Sequence, residues 1–361
     1  MANLTKNLTA PTLLLNTKTV EQNVKRMKKK CSSNGLKLFP HFKTHQSASV
    51  GKLIANEGID GITVSSLKMA QYFADNGFSR IHLAMPPIKS QNHLIASLCQ
   101  KTQLSINVSC KNHLHALDGV KVNVVIDIDP EYGRTGIDIN QPERVKSLVL
   151  EIEKQTNLTF GGLYIHNGAT YNGWIEILQL HEEVIEKITH LKSELGLNCN
   201  VFFGDTPGCS VAQNFNGITH ITAGNFVFND LMQVGFDSCF ESAIAVCMAC
   251  PIIEIHSTNQ QLVIHGGAVH FSKDSMLNHK GQTIYGKMVH LNENGWSHSL
   301  SNCELISISQ EHGILNVTKP VFEQYNIGDC IGVLPVHSCL TANCMQQFVS
   351  FDGRTYNALP K

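Results

Sequence analysis

From about residue 37 to residue 230 the chain alternates between short β-branched or apolar runs and helix-like stretches. Eight runs read as strands: Leu36–Phe39, Gly61–Val64, Ile81–Ala84, Leu104–Val108, Val122–Ile128, Phe160–Ile165, Asn200–Phe203 and His220–Thr222. Of the amphipathic stretches between them, Trp174–Leu195 is the clearest. Its Ile177, Leu180, Val184, Ile188, Leu191 and Leu195 fall at steps of three or four and share one helical stripe. Val145, Leu148, Val149 and Ile152 repeat the pattern after Asn140, an N-cap candidate, with Pro142 in the first turn. Eight strand–helix units predict an α/β fold, a (β/α)8 barrel. A doubly wound open sheet is the alternative, and the count of eight favours the barrel. In either fold the chemistry belongs at the carboxyl ends of the strands.

After about Phe240 the texture changes. Runs such as Leu262–Ile264, Leu305–Ile308 and Cys330–Leu334 are short and broken by turn residues, including Asn294-Gly295. This predicts a C-terminal β-rich domain. The expected division is a barrel over 16–238 and a β-rich domain built from 1–15 plus 239–361, with Pro11–Leu15 pairing into the latter.

Composition narrows the function classes. The chain has 361 residues and a formal net charge of −1, without the basic excess of a nucleic-acid binder. No apolar run reaches the roughly 18–20 residues that span a bilayer. Met1 to Pro11 lacks the pattern of a signal peptide, so twelve cysteines read as reduced thiols of a cytoplasmic protein. Asn3-Leu4-Thr5 and Asn7-Leu8-Thr9 match a glycosylation pattern that an unexported chain does not use.

The strand ends carry the candidate chemistry. The first ends in Pro40-His41-Phe42-Lys43-Thr44-His45. Most lysines are simply exposed. One at a barrel mouth among apolar and imidazole neighbours is expected to be desolvated, which lowers its pKa and permits a Schiff base. His41 and His45, four apart, are a weaker candidate zinc pair. The fifth strand presents Arg134, whose default is a structural ion pair. The sixth ends in His166-Asn167-Gly168 with Tyr171 close behind, where a satisfied core histidine is the default. The seventh ends in Gly204-Asp205-Thr206-Pro207-Gly208 and the eighth in Ala223-Gly224-Asn225. Two small-residue loops after strands seven and eight are a common phosphate site in barrels. With a Schiff-base lysine they suggest pyridoxal phosphate. Near the C-terminus, His337-Ser338-Cys339 on an extended segment would point an imidazole and a thiolate the same way, a pair suited to zinc, with Cys344 as a possible third ligand. Cys247-Met248-Ala249-Cys250 reads as buried core despite its C-x-x-C spacing.

As a set these motifs resemble the D-serine dehydratase and D-threonine aldolase group of pyridoxal phosphate enzymes, related to alanine racemase. The carrying segments are Pro40 to His45, Arg134-Thr135-Gly136, Asp205-Thr206-Pro207, Gly224 to Asp230, and His337-Ser338-Cys339. The resemblance implies a barrel plus a β domain, and a homodimer with sites completed by the partner subunit. It implies that Lys43 carries the cofactor as a Schiff base and Arg134 sits by its phenolic oxygen. Thr206, Gly224 and Asn225 would hold the phosphate, and His166 and Tyr171 would line the cofactor or substrate. His337 and Cys339 would bind a divalent metal, zinc by preference, beside the β-hydroxyl of a D-amino acid. The expected reaction is β-elimination from a D-β-hydroxy amino acid to keto acid and ammonia. Retro-aldol cleavage and racemisation are the alternatives. Two departures from the family pattern are Thr222-Ala223, where relatives often carry Arg-Pro, and His265, where an acidic residue often precedes the glycine. Outside the family, a non-catalytic cofactor carrier would lack the β domain, and a metal-dependent barrel hydrolase would use His41, His45 and His166.

Overall fold

The computed structural model describes residues 8–171 and 176–360. Trp174 and the two glycosylation-type asparagines lie outside the described residues. The chain packs as two compact units, one of Lys25–Lys43 with Ile54–Phe226, the other of the residues up to Val24, Thr44–Leu53 and Val227–Lys361.

The first unit is the barrel. Its strands are Lys37–Leu38, Ile62–Val64, Arg80–Leu83, Gln103–Val108, Val122–Asp129, Leu158–His166, Val201–Gly204 and His220–Ile221, one for each expected run. Each pairs in parallel with its neighbour in sequence. The eighth returns to the first through His220 with Lys37 and Ile221 with Leu38. The first meets the second at a single bridge, His41 to Thr63, reinforced by Thr63 N–H donating to Pro40 O at 3.0 Å. Val124 to Ile128 of the fifth strand are buried without alternation, because strand faces inside and outside a barrel are both covered.

The helix Pro142–Glu153 buries Val145, Leu148, Val149 and Ile152, with proline at its start. Its N-cap is Gln141 rather than Asn140, whose N–H instead donates to Asp138 in the preceding turn. In Ile177–Glu194 the buried stripe gains His181 and Ile185, while Leu180 and Leu195 are half-buried.

A stack of rings fills part of the barrel. Phe202 lies between the His82 ring at 4.7 Å and the His220 ring at 4.1 Å, with Tyr164 beyond His82 at 5.2 Å. Burial pushes His82 down to about 3 and His220 down to about 4. Both are therefore neutral in the fold, while an unfolded histidine takes its proton near pH 6.5. The unfolded chain then binds more protons below that pH, so this contribution is intact above it and is lost as pH falls toward the folded values. Each imidazole removes about 1.4 kcal/mol per pH unit within that window. The urea midpoint of barrel unfolding should hold steady near neutrality and fall steeply below about pH 6. A midpoint unchanged down to about pH 4.5 would contradict the neutral stack.

In the second unit six antiparallel strands close on themselves: Val246–His256, Gln261–His265, His312–Asn316, Glu304–Ile308, Gly286–Val289 and Cys330–Pro335. Thr12–Leu15 extends this sheet, antiparallel to Val246–Ala249 and parallel to part of Gln347–Ser350. Cys247 and Cys250 are fully buried, and burial raises both thiols, as expected of core cysteines.

Candidate active site

The bridge at His41 hands the chain into a 3-10 turn, Phe42–Thr44. Phe42 anchors the turn, fully buried, with its ring 5.0 Å from Phe73 and 5.3 Å from Phe78. His41 N–H donates to Ala223 O at 3.0 Å, so the lysine segment is fastened to the end of the eighth strand. Lys43 is exposed in the single chain. The turn sets this side chain beyond the buried Phe42 and Thr44 that flank it.

Charge and burial converge at this end of the barrel. Burial drives His41 well below its ordinary value, and Lys43, His166 and Arg134 push in the same direction. His166 falls to about 3, by burial first and then by Arg134 and Lys43. Its Nδ1 lies 2.7 Å from Gly204 O. A carbonyl can only accept, so Nδ1 donates and Nε2 keeps a free lone pair. The expected Lys43, Arg134 and His166 thus act on one another. His41 and His45 do not form a zinc pair. Each commits its Nδ1 to a backbone N–H, from Lys43 at 3.3 Å and from Ser47 at 3.0 Å, and buried His45 packs against Phe228.

Arg134 sits on a loop that Asp129 ties down by accepting from Tyr132 N–H at 2.7 Å and Gly133 N–H at 2.9 Å. Gly136 has φ +114°, and a Cβ there would lie 2.6 Å from Asp129 N, which explains the glycine that closes Arg134-Thr135-Gly136. The guanidinium lies 6.0 Å from the Tyr132 ring, which stands roughly perpendicular to His166. Sequence reasoning missed Asp127, on the fifth strand below. Burial pushes it up to about 6 against the Thr135 hydrogen bond and the Arg134 charge. Its neighbours on the strand are buried as well, so the local pattern did not mark it.

Asp205 caps the short helix Thr206–Val211. Thr206 N–H donates to Tyr171 Oη at 3.2 Å, which brings two expected site residues together. Thr206, Gly224 and Asn225 are all buried. Gly204 packs directly on Thr222, where a Cβ would come within 2.3 Å of Thr222 Oγ1. Thr222 is β-branched and buried, so it yields poorly. Gly204→Ala should cost about 1–3 kcal/mol of stability through overpacking. An unchanged denaturant midpoint would show that the two strand ends are not tightly packed.

His337 and Cys339 are not on an extended segment. The strand ends at Pro335, His337 is the N-cap of the helix Ser338–Met345, and Cys339 lies in its first turn. The side chains nevertheless meet in a hydrogen bond. Burial would lower His337 and raise Cys339, but both are reversed: His337 by its bond to Asp274 first and to Cys339 next, Cys339 by its bond to His337. His337 Nδ1 lies 2.7 Å from Asp274 Oδ2. Cys339 Sγ donates to Thr44 Oγ1 at 3.5 Å, and Thr44 is the residue after Lys43. Between the two, Ser338 donates both N–H and Oγ to fully buried Asp230, at 2.9 and 3.1 Å. Cys344, five residues beyond Cys339, is rotated by about 140° around the helix. Asp274, Asp230 and Thr44 were not identified as partners from sequence, being 63, 108 and 295 residues from the groups they touch.

Another metal-type group among the described residues is His265, His270 and Glu311. His270 Nδ1 accepts Gly267 N–H at 3.1 Å, which leaves the ring proton on Nε2, 3.8 Å from Glu311. Glu311 lies 3.6 Å from His265 Nε2 and 3.8 Å from His270 Nε2, at ion-pair rather than hydrogen-bond distance.

The alanine racemase N-terminal domain family matches residues 15–199, just over half of the chain, and the serine dehydratase domain family matches residues 245–351. A D-serine dehydratase of Dictyostelium discoideum is 26% identical, covering 98% of this chain and 96% of the relative. A D-threo-3-hydroxyaspartate dehydratase of Delftia sp. strain HT23 is 26% identical over 92% of each. The solved structure of the Delftia enzyme superposes with a TM-score of 0.89 at 23% identity, covering 99% of both chains. A D-threonine aldolase from Filomicrobium marinum reaches 0.81 at 17% identity, covering 98% of this chain and 96% of that one. These likenesses show the same two-part fold. Its alanine racemase N-terminal domain and its serine dehydratase domain make the chain a member of the D-serine dehydratase and D-threonine aldolase family of alanine racemase-like enzymes.

Proposed function

We propose that the protein is a pyridoxal phosphate- and metal-dependent lyase acting on D-β-hydroxy amino acids, and that it removes the β-hydroxyl to give keto acid and ammonia. The carrying observation is the Cys339 thiol, paired with His337 and held by Thr44, the residue that follows Lys43.

The residues present suit both groups. At the barrel end an exposed lysine, an arginine, a neutral imidazole and a tyrosine-bound Thr206 N–H surround buried, small-residue loops. At the other site a thiol and an imidazole form a zinc-type donor set whose histidine already has a carboxylate on its second nitrogen. Bound pyridoxal phosphate supplies an electron sink that weakens the bonds at the substrate Cα, and a divalent ion supplies Lewis acidity at the β-hydroxyl oxygen. Lys43 Nζ is assigned to hold the cofactor and to move the Cα proton. Arg134 orients the cofactor's phenolic edge, and Thr206, Gly224 and Asn225 its phosphate. His166 and Tyr171 line the site, with His166 neutral across the physiological range. His337 and Cys339 hold the metal.

Cys339 favours elimination over retro-aldol cleavage, since the family resemblance implies an aspartate at that position for an aldolase. The metal pair counts against a simple racemase. We further infer a homodimer with shared sites and a cytoplasmic location, the latter supported by twelve unbridged cysteines. Among the described residues no helix is long and apolar enough to cross a membrane.

A panel of D-serine, D-threonine and D-threo-3-hydroxyaspartate tests the reading. Ammonia should appear in step with keto acid from at least one of them. Glycine plus aldehyde would make the enzyme an aldolase, and turnover of none would sink the proposal.

A further inference from the structure

We propose that Asp274 is a positioning residue that fixes the ring of His337 so that Nε2, and not Nδ1 or a ring carbon, is presented to the metal beside Cys339. This rests on the reading of His337 and Cys339 as metal ligands.

The main chain at this site is held independently of Asp274. Ser338 is locked to Asp230 through two hydrogen bonds. Thr341 Oγ1 shares its proton between His337 O at 2.9 Å and Phe271 O at 3.0 Å, which clamps the start of the helix to the end of the short helix Ala268–Phe271 that precedes Asp274. The freedom left to His337 is rotation of its ring. The outer torsion of histidine is broad and roughly two-fold, so an unrestrained ring readily turns over. Turning it over exchanges nitrogens for carbons at the positions facing the thiol.

Asp274 blocks that rotation. Its carboxylate lies 2.7 Å from His337 Nδ1 and can only accept, so Nδ1 must be the donor. With Nδ1 committed, Nε2 is the nitrogen that faces Cys339. The carboxylate is itself held: Ser272 Oγ donates to Asp274 Oδ2 at 3.2 Å and accepts Asp274 N–H at 3.2 Å. Ser272 adopts φ +70° to make that turn, a conformation uncommon outside glycine. A strained serine that aims a carboxylate at one ring nitrogen is what an orienting partner of a ligand histidine requires.

The test uses the full protein with cofactor bound, stripped of metal by a chelator and titrated with Co2+ as a spectroscopic probe. Wild type should bind the ion with a thiolate charge-transfer band and ligand-field bands from nitrogen and sulfur donors. Asp274→Ala should weaken binding by about 10–100-fold. It should keep the thiolate band but shift the ligand-field bands as the imidazole is lost, while the cofactor's own absorption stays unchanged. Asp274→Asn, whose side-chain oxygen still accepts from Nδ1–H, should recover part of the affinity and the wild-type band pattern. An alanine variant with wild-type affinity and superimposable bands would overturn the positioning role. Loss of both band sets together with the cofactor signal would mark a structural role and overturn it too. Failure of wild type to bind Co2+ would remove the metal reading, and this inference with it.

Discussion

Lys43→Ala should abolish the visible absorption of protein-bound pyridoxal phosphate and lower turnover by about 10^2–10^4-fold or more, the scale of losing a positioned proton-transfer group alone. The fold should not suffer. Lys43 is exposed at the tip of a 3-10 turn whose anchors are its neighbours, Phe42 against Phe73 and Phe78 and His41 bonded to Ala223. A surface substitution of this kind stays within about 0.5 kcal/mol of wild type. Absorption spectra, turnover and a denaturant curve on one preparation separate the two effects. A variant that still forms a borohydride-reducible cofactor adduct would place the anchoring amine elsewhere.

Removing the metal should silence the reaction without unfolding the protein. Lewis-acid assistance is worth several kcal/mol, so chelation should slow elimination on the order of 10^2–10^3-fold. Four protein ligands make a structural zinc site whose loss unfolds a domain, but here two side chains are assigned. The helix that carries Cys339 is held without an ion, by Asp230 on Ser338 and by Thr341 on the carbonyls of His337 and Phe271. Zinc should restore chelated wild type. Cys339→Ala should match the chelated enzyme and not respond to zinc. Full activity of rigorously metal-free protein would take the ion out of the mechanism.

Much of the barrel was legible because its strands obey a local rule. Parallel strands covered on both faces need continuous β-branched runs, and each of the eight expected runs is a strand. The same rule hid Asp127: on a strand where every neighbour is buried, nothing local distinguishes a residue facing the mouth from one facing a helix. The closed six-stranded sheet of the second unit was also out of reach. Closure depends on Ile252 to His256 pairing with Gln261 to Ile264 while Met248 to Pro251 pairs with Cys330 to Val333, a property of register rather than of composition.

The site motifs were legible as chemistry more than as geometry. In His337-Ser338-Cys339 the side chains meet as the sequence suggests, but not by alternation along an extended segment. Pro335 ends the strand and the pair forms across a helix start instead. Lys43 lies after the first barrel strand as the sequence suggests, yet its exposure follows from a turn that apolar neighbours do not announce. Asp230 lay within a segment singled out from sequence, but its hold on Ser338 exists only once the second unit folds.

One product analysis tests the account most directly, because D-serine gives different products in each rival reaction. Elimination yields pyruvate and ammonia, retro-aldol cleavage yields glycine and formaldehyde, and racemisation yields L-serine. Zinc-loaded, cofactor-loaded enzyme incubated with D-serine should release pyruvate and ammonia in equal amounts, with neither glycine nor L-serine accumulating. Glycine or L-serine as the main product, with no pyruvate, would contradict the assignment of this chain as a dehydratase.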